Sequence, residues 1–290
     1  MKVKTKLFAS AFLLLIIASC SKSDSGSGGT DSIAAKTTLN VAYGTDPLQK
    51  MDIYLPANRN ISATKVLIMI HGGGWTTGDK NDFTPLIDTL KKRLPDYAIF
   101  NLNYRLAAFP NINTFPTQEL DVKAAVEFIY GNRGSYLTSD KFVLLGASAG
   151  GHLSLLQSYK YHSPVNVKAV VDFFGPTDMV DMYNNPGSYP ASGIAVLMNG
   201  TPSTNLPLYQ QSSPLTYANS VSCPTIVLQG GLDPLVNATT QSLALKNKLT
   251  TASVVNDYVF YPAGGHGDWD VATYTDAYNK IQAFLAANVQ

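Results

Sequence analysis

Ser148 stands between Gly146 and Gly150 in the run FVLLGASAGGHLSLL, residues 142–156. An apolar stretch enters this turn and an apolar helical pattern leaves it. A Gly-x-Ser-x-Gly turn at a strand-to-helix junction is sharp, and it lifts the serine hydroxyl above the strand ends. The free amides and dipole of the following helix favour a negative charge developing there. The chemistry so prepared is attack by an alcohol oxygen on a carbonyl carbon. Short Gly/Ser patterns also arise as plain small-residue turns, so the motif acquires meaning only with partners.

The first partner is a base, because a serine hydroxyl is a weak nucleophile until its proton is taken. Four histidines are available: His71, His152, His162 and His266. His152 follows Ser148 by one helical turn and is expected to pack or bond locally. His162 lies in the polar stretch YKYHSP, a surface-loop pattern. His71 ends the apolar run VLIMI. His266 sits in PAGGHGDWD, after the last strand-like run and before the last helical one, where glycines let a loop reach inward. His266 is therefore the expected base. The second partner is a carboxylate that orients the imidazole. Asp233, in VLQGGLDPLV, directly follows a buried-strand pattern and completes the chain order Ser148, Asp233, His266. Asp172 falls inside a strand pattern and Asp178 follows a different strand end. Asp268 and Asp270 are too near His266 in sequence to present themselves readily. The third partner is a set of donors for an oxyanion. HGGGW, residues 71–75, follows VLIMI, and its glycines let backbone amides face a carbonyl oxygen. Gly73, Gly74 and Ala149 are the expected donors, against the alternative that the glycines serve only a chain reversal.

These groups need a scaffold. TTLNVAYG and MDIYLP are strand-like and suit a half-exposed antiparallel opening, with Met51, Ile53 and Leu55 alternating against Asp52 and Tyr54. A continuous apolar run follows at 66–70, as in a strand covered on both faces, and 142–146 reads as another buried strand; further strands are expected at 97–105, 167–175, 224–230 and 254–262. Helical patterns separate them at about 82–94, 118–132, from 149, 243–250 and 274–289. In the helix over 118–132, Leu120, Ala124, Val126 and Ile129 fall near one side. Strands alternating with helices imply an α/β domain, a mostly parallel central sheet with helices on both faces. Residues 176–222 break the rhythm, being rich in Pro, Gly, Asn, Ser and Tyr. A stretch that long is expected to be a partly helical insertion over the substrate entrance.

Composition agrees with one large core. Hydrophobic residues make up 45% of the 290 and charged residues 14%, with a net charge of +1. Setting aside Lys2, Lys4 and Lys6 leaves a net of about −2, and no basic stripe appears, so nothing points to nucleic acid. MKVKTK followed by LFASAFLLLIIAS has the form of an export signal. It ends in Ile17-Ala18-Ser19-Cys20, similar to a bacterial lipobox. That resemblance implies cleavage before Cys20 and a lipid on its thiol. Residues 1–19 are then a signal peptide, 20–36 a Gly/Ser-rich tether, and 37–290 the folded domain. Such a chain would be held by its lipid in the bacterial cell envelope, in the periplasm or at the outer membrane surface. With Cys20 so used, only Cys223 remains, and it is expected to be a small packing residue.

The motif set resembles the α/β-hydrolases, within them the lipase/esterase branch with an HGGG loop. YGTDPLQKMDIYLP, HGGGW, LNYRLA, DVKAAVEFI, GASAGGHLSLL, SPLTYANSVSCPTIVLQGGLDPLV and GGHGDW carry the resemblance over most of residues 40–288. It is nearest to the small carboxylesterases grouped with deacetylase/feruloyl-esterase-like (BD-FAE) and hormone-sensitive-lipase-like proteins. The resemblance implies acyl transfer through a serine ester, without cofactor or metal, on a small ester or acylated carbohydrate. Related parts also serve acetyl or feruloyl polysaccharide esterases, arylformamidases and peptidase-like hydrolases, and some proteins of this fold survive as binding modules.

Overall fold

Apolar runs with little side-chain variety build the centre of an eight-stranded sheet. The computed structural model describes residues 32–290; the expected signal peptide, Cys20 and the tether as far as residue 31 lie outside the described residues. The strands are β1 (Lys36–Ala42), β2 (Lys50–Leu55), β3 (Lys65–Ile70), β4 (Tyr97–Leu102), β5 (Phe142–Ala147), β6 (Ala169–Phe173), β7 (Thr225–Gly230) and β8 (Asn256–Tyr261). Their order across the sheet is β1-β2-β4-β3-β5-β6-β7-β8. β1 and β2 run antiparallel to their neighbours, and the strands from β4 to β8 are parallel.

The helices are α1 (Thr84–Arg93), α2 (Thr117–Gly131), α3 (Arg133–Tyr136), α4 (Ala149–Lys160), α5 (Met179–Asn184), α6 (Ala191–Leu197), α7 (Pro202–Gln211), α8 (Pro214–Tyr217), α9 (Ala244–Thr251) and α10 (Val271–Asn288). Side chains alternate across the strands, so the sheet has two cores. Val66, Ile68 and Ile70 of β3 face a cluster with Leu153 and Leu156 of α4 and Val126 and Ile129 of α2. Leu67 and Met69 face the other side, with Ile87 and Leu90 of α1 and Ile281 and Leu285 of α10. Cys223 is a buried free thiol, as a packing residue should be.

Three local expectations need correction. Leu120, expected near the inner side of α2, is 49% exposed. The buried face instead carries Val122, Ala125, Val126 and Ile129 together with Glu119 and Asp121. Those two carboxylates are held inside by Lys160 and Arg105. Asp52, placed on the open face of β2, is buried beside Lys80 at 2.8 Å. The folded domain also starts earlier than residue 37. β1 opens at Lys36, the Ile33 carbonyl accepts from Asn58 N, and the Ala34 carbonyl accepts from Arg59.

The segment 176–222 folds as α5 to α8. It covers the outer side of α4, which is why every residue from Ala149 to Tyr159 is buried. A helix enclosed on all sides needs internal partners for its polar side chains. His152 has them, and they concern the site.

Candidate active site

The turn between β5 and α4 sets Ser148 at φ +55° and ψ −120°, a conformation that costs a non-glycine residue roughly 1–3 kcal/mol. It is held there by packing on both sides. A Cβ on Gly146 would lie 2.1 Å from the Gly150 carbonyl oxygen, and one on Gly150 would lie 1.9 Å from that of Ile70. The Ser148 amide donates to the Phe173 carbonyl at 2.8 Å. The strain presents the hydroxyl above the strand ends.

That hydroxyl meets His266. Ser148 Oγ lies 2.8 Å from His266 Nε2, and His266 Nδ1 lies 2.7 Å from Asp233 Oδ2. A carboxylate only accepts, so the Nδ1–H donates to Asp233 and Nε2 is left to receive the serine proton. Asp233 leaves β7 and bends back on itself. Its Oδ1 accepts from the amides of Leu235 and Val236 at 2.8 and 2.9 Å, and Gln229 Nε2 donates to Oδ2 at 3.1 Å. Burial pushes the Asp233 carboxyl up, but the His266 bond and charge with the two amides outweigh it. The net shift is below the usual carboxylate range, and Asp233 stays ionised. The His266 loop is pinned by Leu232 N to the Gly264 carbonyl, Trp269 Nε1 to that of Gly265 and Tyr274 Oη to that of Gly267. The Phe174 ring covers the imidazole at 4.5 Å between centroids.

The HGGGW loop faces this line. Every carbonyl from His71 to Trp75 is engaged: His71 and Gly72 accept from Tyr104 Oη, Gly73 from Thr76 N and Thr77 N, Gly74 from Tyr189 Oη, and Trp75 from Ala107 N. The amides of Gly73 and Gly74 donate to nothing among the described residues. Gly74 has φ +57°, which suits glycine. Ala149 opens α4, so its N–H has no intrahelical partner. Ser148 and the two glycines share a cleft of about 370 Å³, lined also by Trp75, Phe174, Met182, Tyr189, Val236 and His266. Among the described residues that line it, none is Asp, Glu, Lys or Arg. A hollow of about 430 Å³ beside Tyr54, Lys91 and Tyr97 contains none of the paired groups.

The competing residues have other work. Asp178 caps α5 and Asp270 caps α10. Asp172 is fully buried, accepts from Gly175 N at 3.0 Å, and is pushed well above the usual carboxylate range by that burial. His71 is buried, held below the ordinary histidine range by desolvation, and stacked on Tyr104 at 4.3 Å.

His152 does not bond only locally. Its Nε2–H donates to the Ser212 carbonyl at 2.7 Å, which leaves Nδ1 to accept from Trp75 Nε1 at 3.2 Å. It therefore ties the nucleophile helix to both the glycine loop and the insertion. Its one-turn spacing from Ser148 was a signal that it lay near the site; its two distant partners had none. Met182 and Tyr189, which wall the cleft, were equally invisible in sequence.

The BD-FAE family model matches residues 51–249. The chain is 31% identical over 213 residues to a Mycobacterium tuberculosis protein named "Probable carboxylic ester hydrolase LipM", covering 68% of this chain and 48% of that protein. It spans about half the length of the curated relatives it matches, between 48% and 59% for LipM, LipC and LipQ. Among solved structures, a bifunctional GH43-CE of Bacteroides eggerthii superposes with a TM-score of 0.76 at 27% identity, over 88% of this chain and 35% of that one. A truncated carbohydrate esterase from gut microbiota superposes at 0.72 with 26% identity, over 86% and 96%.

Proposed function

The chain belongs to the BD-FAE family and has the α/β-hydrolase fold, and from that premise we propose that it is a serine carboxylic ester hydrolase acting through an acyl-enzyme. The observation that carries this reading is the hydrogen-bonded line Ser148–His266–Asp233 set across from the amides of Gly73 and Gly74, which have no partner among the described residues.

In the first half-reaction Ser148 Oγ adds to the ester carbonyl carbon while its proton passes to His266 Nε2. The Asp233 carboxylate stabilises the imidazolium. The carbonyl oxygen becomes an oxyanion facing the amides of Gly73, Gly74 and Ala149. The intermediate collapses, the bond to the alcohol oxygen breaks, and that oxygen takes the proton from Nε2. Water then gives a proton to His266 and adds to the acyl carbon. Collapse returns the proton to Ser148 and frees the acid.

A cleft lined by no Asp, Glu, Lys or Arg suits a neutral acyl group and a neutral alcohol, and offers no carboxylate for a peptide amine. We place the alcohol on a carbohydrate, a reading supported by the two carbohydrate-linked structural relatives. A lipid on Cys20, supported by the run Ile17-Ala18-Ser19-Cys20, would hold the enzyme at the cell envelope. Cys20→Ser should then move the full-length protein from the membrane to the soluble fraction, and equal membrane retention would count against the anchor.

The reaction is tested with p-nitrophenyl acetate and Ser148→Ala. Loss of roughly a millionfold in kcat is expected when members of such a unit are removed. Equal rates would remove the serine from the mechanism. Acetylated xylan, feruloyl esters, acylglycerols, N-formyl aryl amines and aminoacyl amides then separate the substrate classes.

A further inference from the structure

Tyr189 belongs to the turn between α5 and α6, inside the insertion. The turn rests on two of the loops that build the site. At one end, Ser188 N donates to the Pro234 carbonyl at 2.7 Å, the residue next to Asp233. A Cβ on Gly187 would come within 2.4 Å of the same oxygen, so the turn lies directly on the acid loop. At the other end, Tyr189 Oη donates to the Gly74 carbonyl at 3.1 Å. Its ring lies so close that a Cβ on Gly74 would sit 2.8 Å from Cε2. The ring also meets Trp75 edge-on, 6.4 Å between centroids. The turn thus bridges the acid loop, through Ser188, and the oxyanion loop, through Tyr189, which lines the cleft.

The reaction geometry says which part of a substrate meets it. The carbonyl carbon must touch Ser148 Oγ, its oxygen must face the Gly73 and Gly74 amides, and the leaving oxygen must reach His266 Nε2. An acyl group directed away from His266 would run along the part of the cleft lined by Trp75, Met182 and Tyr189. Trp75 and Met182 are packed in the core, at 1% and 3% exposure, whereas Tyr189 is only half-buried. Building on the ester-hydrolase reading above, we infer that Tyr189 is the specificity-determining residue that limits the acyl group to short chains, of the size of acetyl to butyryl. Its ring sets the length limit, and its hydroxyl helps hold the oxyanion loop through Gly74.

The two parts of the side chain are separable. Wild type, Tyr189→Phe, Tyr189→Val and Tyr189→Ala are compared on p-nitrophenyl acetate, butyrate and octanoate, which share one leaving group. Fluorophosphonate labelling of Ser148 runs in parallel on each protein. Wild type is expected to prefer acetate and butyrate. Tyr189→Ala should raise the octanoate-to-acetate ratio of kcat/KM by at least about tenfold, since a methylene that gains or loses its place in an apolar pocket is worth that much. Tyr189→Val should shift the ratio in the same direction. Tyr189→Phe should keep the wild-type ratio while lowering kcat on every ester. A ratio unchanged in both small variants, or shifted as far by phenylalanine as by alanine, overturns the assignment. The ratio is internal to each protein, so partial unfolding of a variant does not imitate the shift. Absence of both labelling and hydrolysis in wild type overturns the ester-hydrolase reading itself, and this assignment with it.

Discussion

Acid should destabilise this protein through His152, and the size of the effect follows from where the ring lies. His152 is fully buried between Trp75, Phe115 and Ser212. Burial drives its pKa from the ordinary 6.5 down to about 4, the Ser212 carbonyl opposes this, and the charge of Lys160 adds to it. The unfolded chain therefore binds a proton below pH 6.5 that the folded chain refuses until about pH 4. Stability is full above pH 6.5 and falls as pH drops through that window, by roughly 1.4 kcal/mol per pH unit and about 3 kcal/mol in all. In His152→Gln this contribution is absent, while glutamine keeps a donor and an acceptor for Ser212 and Trp75. Urea unfolding of both proteins, followed by tryptophan fluorescence at pH 7, 6, 5 and 4.5, gives the two profiles. His71 adds a slope of the same sign and Asp172 one of the opposite sign, but both are present in each protein and cancel in the difference. The wild-type profile should fall more steeply, with most of the excess between pH 6 and 4.5. Parallel profiles would refute the reasoning, because they would mean that the ring takes its proton equally well in both states.

Asp233→Asn should lower kcat by roughly ten-thousandfold, because an amide no longer stabilises the imidazolium or fixes the proton on Nδ1; retention within tenfold on p-nitrophenyl acetate would remove Asp233 from its role. Asp172→Asn should gain stability over wild type as pH rises. The buried acid is held protonated in the folded state while the unfolded chain ionises it above about pH 4, so this group's contribution to wild-type stability falls as pH rises, and the variant lacks it. Urea midpoints at pH 4 and 7 measure that margin, and a constant margin would show that burial does not perturb Asp172.

What the sequence displayed of the site was its covalent framework. Ser148 could be read because β5 and α4 have opposite periodicities that meet at a turn only glycines can make. His266 and Asp233 could be read because each follows a strand of the parallel part of the sheet, and parallel strands end on one side of it. Periodicity works where one cause, burial against the sheet, dominates. It failed on α2, where Glu119 and Asp121 are buried by ion pairs with Lys160 and Arg105, and Leu120 is left outside. It failed again at Asp52, whose burial depends on Lys80 from another segment. The docking of Ile33 and Ala34 uses backbone carbonyls, which leave no mark on residue type.

The insertion is where such non-local causes concentrate, and they bear on catalysis rather than on packing alone. By covering α4, residues 176–222 make the surroundings of His152 dry, and a dry imidazole stays neutral and able to accept from Trp75. The same segment sends Tyr189 to the carbonyl of Gly74. The oxyanion loop is thus held at two successive residues, Gly74 and Trp75, by groups whose placement depends on the insertion. Trp75 itself sits at φ +61°, a strained value for a tryptophan, so these contacts work against a conformational preference. A loop held in this way has amides that are oriented before substrate arrives, which is where the rate advantage of an oxyanion site originates. Changes in the insertion should accordingly register in kcat as well as in KM, unlike those in a lid that only admits substrate.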